Sequence, residues 1–193
     1  MNGPSLGYAP EDLIRLKEIA PKTPRTPADL RKIIDWFGYL AEWRNDYKIK
    51  SVRSSLHSTK ITCIDASVLA YGLLELYFPE IKRRLLSIHR RDKHGEECGH
   101  CVTLYWSPSG RVGAFSKSSF ERFGHRDATF SDESAVAGSF AKAYLQMKFI
   151  PLYYGVTTLE EIAPDLDWRF SKDNLNILAT RLIESYQYGF ECG

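Results

Sequence analysis

The sequence predicts an α+β fold: a helical N-terminal part, a central buried helix that carries a cysteine and packs on a small antiparallel sheet, and a C-terminal helix. Three observations carry this. Apolar residues recur at helical spacing between residues 28 and 48. The stretch CIDASVLAYGLLELY, Cys63 to Tyr77, is apolar on most of its circumference, the mark of a buried helix. After Pro79 the period changes to that of strands, with HCVTLYW followed by the turn signal SPSG. Helices, then strands, then a helix is the α+β order.

Along the chain, APEDLIRLKEIA reads as a short first helix, with Pro10 at its start and acidic residues in its first turn. PKTPRTP is a breaker-rich linker. Thr26 and Pro27 then open a second helix, ADLRKIIDWFGYLAEWRNDYK, whose Leu30, Ile33, Ile34, Phe37, Leu40 and Ala41 form one apolar face. Its aromatics Trp36, Phe37, Tyr39 and Trp43 read as core and groove wall. The central helix runs from Cys63 to about Tyr77. RRLLSIHR and HCVTLYW read as strands, RVGAFSK as the hairpin partner of the latter, and KFIPLYYGV as a strand that Pro151 confines to an edge or an end. A last helix is expected from Lys172 to Tyr188. The 193 residues fit a single domain, 1–193: a helical N-terminal extension over 1–50, a core over 51–160 and the C-terminal helix in 161–193.

Composition narrows the function. An apolar content of 44% with 13% aromatics builds a true core, and a net charge of +2 is too small to mark a nucleic-acid binder. No basic start with an apolar run resembles a secretory leader, and no run approaches the ~18 apolar residues of a membrane helix. The expectation is a soluble, cytoplasmic protein with no membrane partner. Four cysteines, Cys63, Cys98, Cys101 and Cys192, are too few for a disulfide scaffold in a chain of this length.

Cys63 stands out. Thr62 is a good N-cap and Asp65 follows at the capping-box position, so Cys63 takes the first helical position. Unpaired N–H groups and the helix dipole favour an anion there, so the thiol pKa is expected to fall. A nucleophilic thiol needs a base. Among five histidines, His100 starts a strand able to cross the central helix. If SPSG is the hairpin turn, His100 falls opposite Lys117, and a single bulge brings it to Ser116. A packing role for the cysteine is the plainer alternative.

These pieces resemble the transglutaminase-like superfamily within the papain-like cysteine fold: TCIDASVLAYGLLE as the cysteine helix, GHCVTLYW as the histidine strand, and GRVGAFS where the family places its acid. The resemblance implies a Cys–His–Asp triad that acts on amides through a thioester, without a cofactor, on a protein or peptide amide substrate. Cys63 and His100 take the first two places. The third has no Asp. Ser116 is the candidate, Asp127 from the next loop is its rival, and a bare dyad is the remaining option. His57, upstream of the cysteine, stands where such enzymes carry an oxyanion donor, although a surface histidine reads as well. The outcome of the chemistry, hydrolysis, deamidation or acyl transfer, stays open. The missing acid motivates an alternative: a catalytically inactive fold of the same class serving as a protein-interaction module.

Two further constellations remain. HGEECGHC holds Cys98 and Cys101 at CxxC spacing, but without a second pair, and no metal is expected. KRRLLSIHRRDKH carries six Lys or Arg between Lys82 and Lys93. A solvated edge is the bland reading, and an acidic protein partner or a nucleic-acid backbone the sharper one. No aromatic residues interleave there, which argues against single-stranded nucleic acid.

Overall fold

The computed structural model describes residues 7–41, 47–171 and 175–190. In chain order the elements are α1 (Pro10–Ile19), α2 (Leu30–Trp36), β1 (Gly38–Tyr39), α3 (Val52–Leu56), β2 (Lys60–Ile61), α4 (Cys63–Tyr77), β3 (Arg83–Arg91), β4 (Glu97–Trp106), β5 (Val112–Phe115), β6 (Arg126–Phe130), α5 (Glu133–Gln146), β7 (Ile150–Thr157), α6 (Leu159–Ile162), α7 (Ile177–Glu184) and β8 (Tyr188–Gly189). This is an α+β architecture. A six-stranded antiparallel sheet has the order β6-β5-β4-β3-β7-β8, and β1 pairs with β2 in a small parallel ribbon.

Helix α4 is the centre. Its residues from Cys63 to Leu74 are all buried. Thr62 accepts from the Asp65 N–H, and Asp65 accepts from the Thr62 N–H at 2.9 Å, the reciprocal cap expected from the sequence. One face of the sheet, through Leu85, Cys101, Tyr105 and Phe115, joins α4 and residues of α2, α3 and α7 in one core. The other face, through Leu86, Ile88, Val102 and Leu104, packs on Val136, Ala137, Phe140 and Tyr144 of α5. The alternation of neighbouring residues between two cores is the period of two of a strand covered on both sides.

Helix α5 and strand β6 lie where the sequence reading placed no element. The signals exist: Asp132 caps α5 by accepting from the Ala135 N–H at 2.8 Å, and Val136, Ala137, Phe140 and Tyr144 share a helical face. Two expected helices are shorter. The second stops at Trp36, Phe37 turns extended, and Gly38–Tyr39 pairs with Lys60–Ile61. Two aromatics flanking a glycine favour a strand over a helical turn. Leu40, Ala41, Tyr47 and Lys48 are not helical either, and residues 42–46, including Trp43, lie outside the described residues. The last helix covers only Ile177–Glu184, and Tyr188 enters the sheet instead. Pro151 sits near the start of β7, as expected. Among the described residues no helix is long and apolar enough to cross a membrane.

Candidate active site

Of strand β4, β5 pairs only with Thr103–Trp106. Among the described residues, Glu97–Val102 of β4 therefore has β3 on one side and no strand on the other. The N-terminus of α4 meets this open edge. A cleft of about 510 Å³ forms there, bordered by Cys63, Tyr39, Arg90, His100, Cys101 and Tyr186 among others.

Cys63 is 5% exposed. Burial pushes its thiol up from the ordinary value. The Cys101 N–H and the Ile64 N–H pull the other way, as does the Arg90 charge, while the Asp65 carboxylate adds to the rise. The sequence expectation of a lowered pKa is thus corrected. A helix N-terminus favours a thiolate only while water still helps to solvate it, and here desolvation wins. Ser67 Oγ donates to the Cys63 carbonyl at 2.8 Å and Thr103 Oγ1 to the Ser67 carbonyl at 2.7 Å, which ties the first turn of α4 to β4.

His100 is also 5% exposed. Its ring lies on the α5 side of the sheet, with centroids 5.8 Å from Phe140, 6.1 Å from Phe123 and 6.4 Å from Tyr144. Burial, and then the charges of Arg90 and Arg126, lower its pKa to about 3, so it is a neutral imidazole at pH 7. His100 Nε2 is 2.8 Å from Ser116 Oγ, and Ser116 Oγ donates to the Phe123 carbonyl at 2.5 Å. A hydroxyl has one proton. Ser116 commits it to Phe123, so its oxygen accepts from His100 Nε2–H. The remaining nitrogen, Nδ1, carries the lone pair and has no hydrogen-bond partner among the described residues.

The hairpin register differs by one residue from the expectation. Thr103 faces Phe115, so Ser116 follows on toward Val102 rather than next to a Lys117–His100 pair. That shift places Ser116 on the same face as His100, two residues away diagonally, and no bulge is needed. Asp127 is elsewhere: its side chain is 74% exposed and pairs with Arg31 at 2.7 Å. His57 is also outside the cleft, with Nε2 3.1 Å from the buried Asp12 carboxylate. Cys63 and His100 border one cleft but are not hydrogen-bonded to each other.

Cys98 is exposed and Cys101 buried, and both are free thiols. Among the described residues no group of three or more His, Cys, Asp or Glu is arranged to hold a metal ion. Cys192 lies outside the described residues. The basic run is mostly neutralised by neighbours: Arg83 pairs with Glu75, Arg84 with Glu133 and Arg91 with Glu97. Sequence reasoning missed the cleft positions of Arg90 and Tyr186. Arg90 was visible only as one of six basic residues.

No protein-family model matches the chain, and no curated protein matches it. Among solved structures the chain is similar to Legionella pneumophila LapG, at 12% identity over 79% of this chain and 82% of that one, with a TM-score of 0.42. It is likewise similar to the EGTA-treated form of Legionella pneumophila LapG, at 11% identity over 92% of this chain and 91% of that one, with a TM-score of 0.43.

Proposed function

We propose that the protein performs cysteine-dependent amide chemistry of the transglutaminase-like kind, with Cys63 as nucleophile, His100 as base and Ser116 as the residue that orients the imidazole. The observation that carries this reading is the proton inventory at Ser116. It leaves His100 Nδ1 as the free basic nitrogen of an imidazole that borders the same cleft as a thiol at a helix start.

The chemistry follows from two neutral groups. His100 Nδ1 removes the thiol proton as Cys63 Sγ attacks the amide carbon, and the carbonyl electrons move to oxygen. Collapse of that adduct expels the amine, which takes the proton back from the imidazolium, and a thioester remains. Water then yields an acid, or an amine yields a new amide, and the thiol is restored. The developing imidazolium keeps its hydrogen bond to Ser116 Oγ throughout. In the free protein the thiol lies on the α4 side of the sheet and the imidazole on the α5 side, so the proposed proton transfer requires the two to meet around the open edge of β4 in the substrate complex. The substrate class is a peptide or protein amide.

The test is incubation with a defined peptide mixture plus methylamine, read by mass spectrometry for cleavage, deamidation or amine addition. Product with the native protein and none with Cys63→Ser is expected. Product that persists in Cys63→Ser overturns the assignment.

A second reading, a non-catalytic interaction module on the same framework, is favoured by one observation: Cys63 and His100 make no hydrogen bond, and burial disfavours the charged form of each. It predicts that His100→Gln leaves the rate of Cys63 alkylation by iodoacetamide unchanged, whereas the enzymatic reading predicts a fall.

A further inference from the structure

In the basic run Lys93 is exposed, and Arg90 is the residue with two buried nitrogens left unpaired. Lys82, Arg83, Arg84 and Arg91 each reach a carboxylate of a neighbouring element. Arg90 has no ion pair and no hydrogen bond among the described residues, and its Nε and Nη1 are buried without a partner. Its guanidinium carbon lies 4.0 Å from the ring centroid of Phe149, 4.8 Å from Tyr144 and 5.7 Å from Phe123. The rings hold the faces of the cation but offer nothing to its in-plane donors. Arginine does not escape by losing its proton. Buried donors left unpaired carry a desolvation cost that an arriving acceptor removes.

Position gives this fork a use. Arg90 lies opposite Cys98 on β4, and the register of β3 against β7 slips between His89 and Arg90. Such irregularities re-aim side chains next to sites. Arg90 borders the cleft that also holds Cys63, Cys98 and His100. A planar fork fixed by aromatic rings suits a carboxylate, which it grips through two parallel bonds from Nη2 and one of the two buried nitrogens. One cation, with the Glu97 carboxylate also on the cleft wall, matches a single negative charge rather than a phosphate dianion.

We infer that Arg90 is the anchor for a carboxylate on the peptide substrate, and that the cleft selects amides lying near an acidic side chain or a free C-terminus. The choice of substrate rests on the thiol chemistry proposed above, while the anion site itself stands apart from it.

The experiment compares iodoacetate with its neutral isostere iodoacetamide. The alkylation-rate ratio is measured by mass at Cys63 and at exposed Cys98, in folded protein and in urea. Urea removes Arg90 from both thiols and supplies the reference ratio. The folded ratio is expected to exceed the reference by about tenfold, the scale of local ion enrichment in a charged cleft. Arg90→Gln is expected to return it to the reference, and Arg90→Lys to keep most of it. Equal ratios in folded and unfolded protein, or a ratio unmoved by Arg90→Gln in a variant that melts cooperatively, overturn the proposal. A Cys63 inert to both reagents counts against the thiol chemistry, and the ratio at Cys98 still decides on Arg90. Protection of Cys98 from iodoacetamide identifies the source of the carboxylate. Acetyl-Ala-Glu-Ala amide protects if a side chain is read, and acetyl-Ala-Ala-Ala with a free C-terminus protects if a terminus is read. Protection by neither beyond that of acetyl-Ala-Ala-Ala amide overturns the carboxylate assignment.

Discussion

His100 Nε2 donates to Ser116 Oγ at 2.8 Å, and this one bond sets the tautomer of the only histidine bordering the cleft among the described residues. Ser116 is held in turn. Its N–H donates to His125 Nδ1 at 3.2 Å, and the other ring nitrogen of His125 is 3.1 Å from the Asp35 carboxylate. The group beside Nε2 is therefore a hydroxyl and not a carboxylate. It orients the ring but adds no negative charge, in keeping with an imidazole whose pKa falls rather than rises.

Ser116→Ala removes the acceptor of Nε2–H and the donor to the Phe123 carbonyl. Turnover is expected to fall by about a hundredfold, the lower end of what a positioned base contributes, and stability by ~1–3 kcal/mol for the orphaned buried groups. Asp127→Asn breaks only an exposed pair with Arg31 and is expected to cost ~0–1 kcal/mol and no activity. Steady-state rates and urea midpoints of the two variants check this. Loss of activity in Asp127→Asn alone removes Ser116 from the site.

The buried His100 also makes stability depend on acid. Its pKa is about 3 in the folded protein against an ordinary 6.5, so the unfolded chain binds the extra proton between those values. Stability is full above pH 6.5 and is lost as pH falls toward 3, by at most about 1.4 kcal/mol per pH unit. Urea unfolding at a series of pH values is expected to show a shallower loss in His100→Gln than in the native protein. Parallel curves would mean that the imidazole is solvated.

Much of this site was legible before the structure because local rules set it. The cap made by Thr62 and Asp65, the start of α4 at Cys63 and the strand character of His100 depend on neighbours a few residues away. The hairpin register was missed by one residue because it depends on how the turn closes. The pKa of Cys63 was misjudged in direction because burial is a property of the whole packing and not of the cap. Helix α5 escaped notice although Asp132 and the face of Val136, Phe140 and Tyr144 announce it. Arg90 was not legible as a site at all: its lack of an acidic partner appears only when the carboxylates of α4, β4 and α5 have found their places beside the other basic residues.

Gly155 ties the far wall of the cleft to the sheet. A Cβ built there lies 2.3 Å from the Ser185 carbonyl oxygen, and that oxygen is backbone. Ser185 ends α7, whose Leu182 and neighbouring Tyr186 border the cleft. Gly155→Ala is expected to push α7 off β7 and to cost ~1–3 kcal/mol, the usual scale of overpacking. Hydrogen exchange is expected to rise first in residues 177–186. Unchanged protection there would mean that α7 adapts without leaving the sheet.

The last prediction separates the two roles of Asp65. Its buried carboxylate accepts from the Thr62 N–H at 2.9 Å, from the Lys50 N–H at 2.8 Å and from the Tyr47 hydroxyl. It also raises the Cys63 pKa by its charge. Asp65→Asn keeps the size and one acceptor oxygen but removes the charge and brings in donors where donors already converge. Stability is expected to fall by ~1–3 kcal/mol. The thiol should respond in the opposite sense. With the carboxylate gone the thiolate is less disfavoured, the pKa of Cys63 moves down, and its alkylation by iodoacetamide at a fixed pH below that pKa speeds up. Cys98, which owes no part of its environment to Asp65, serves as the internal control. A variant that is less stable but no more reactive at Cys63 would show that the carboxylate acts on the helix cap alone. A variant in which both thiols speed up together would show general loosening of the fold.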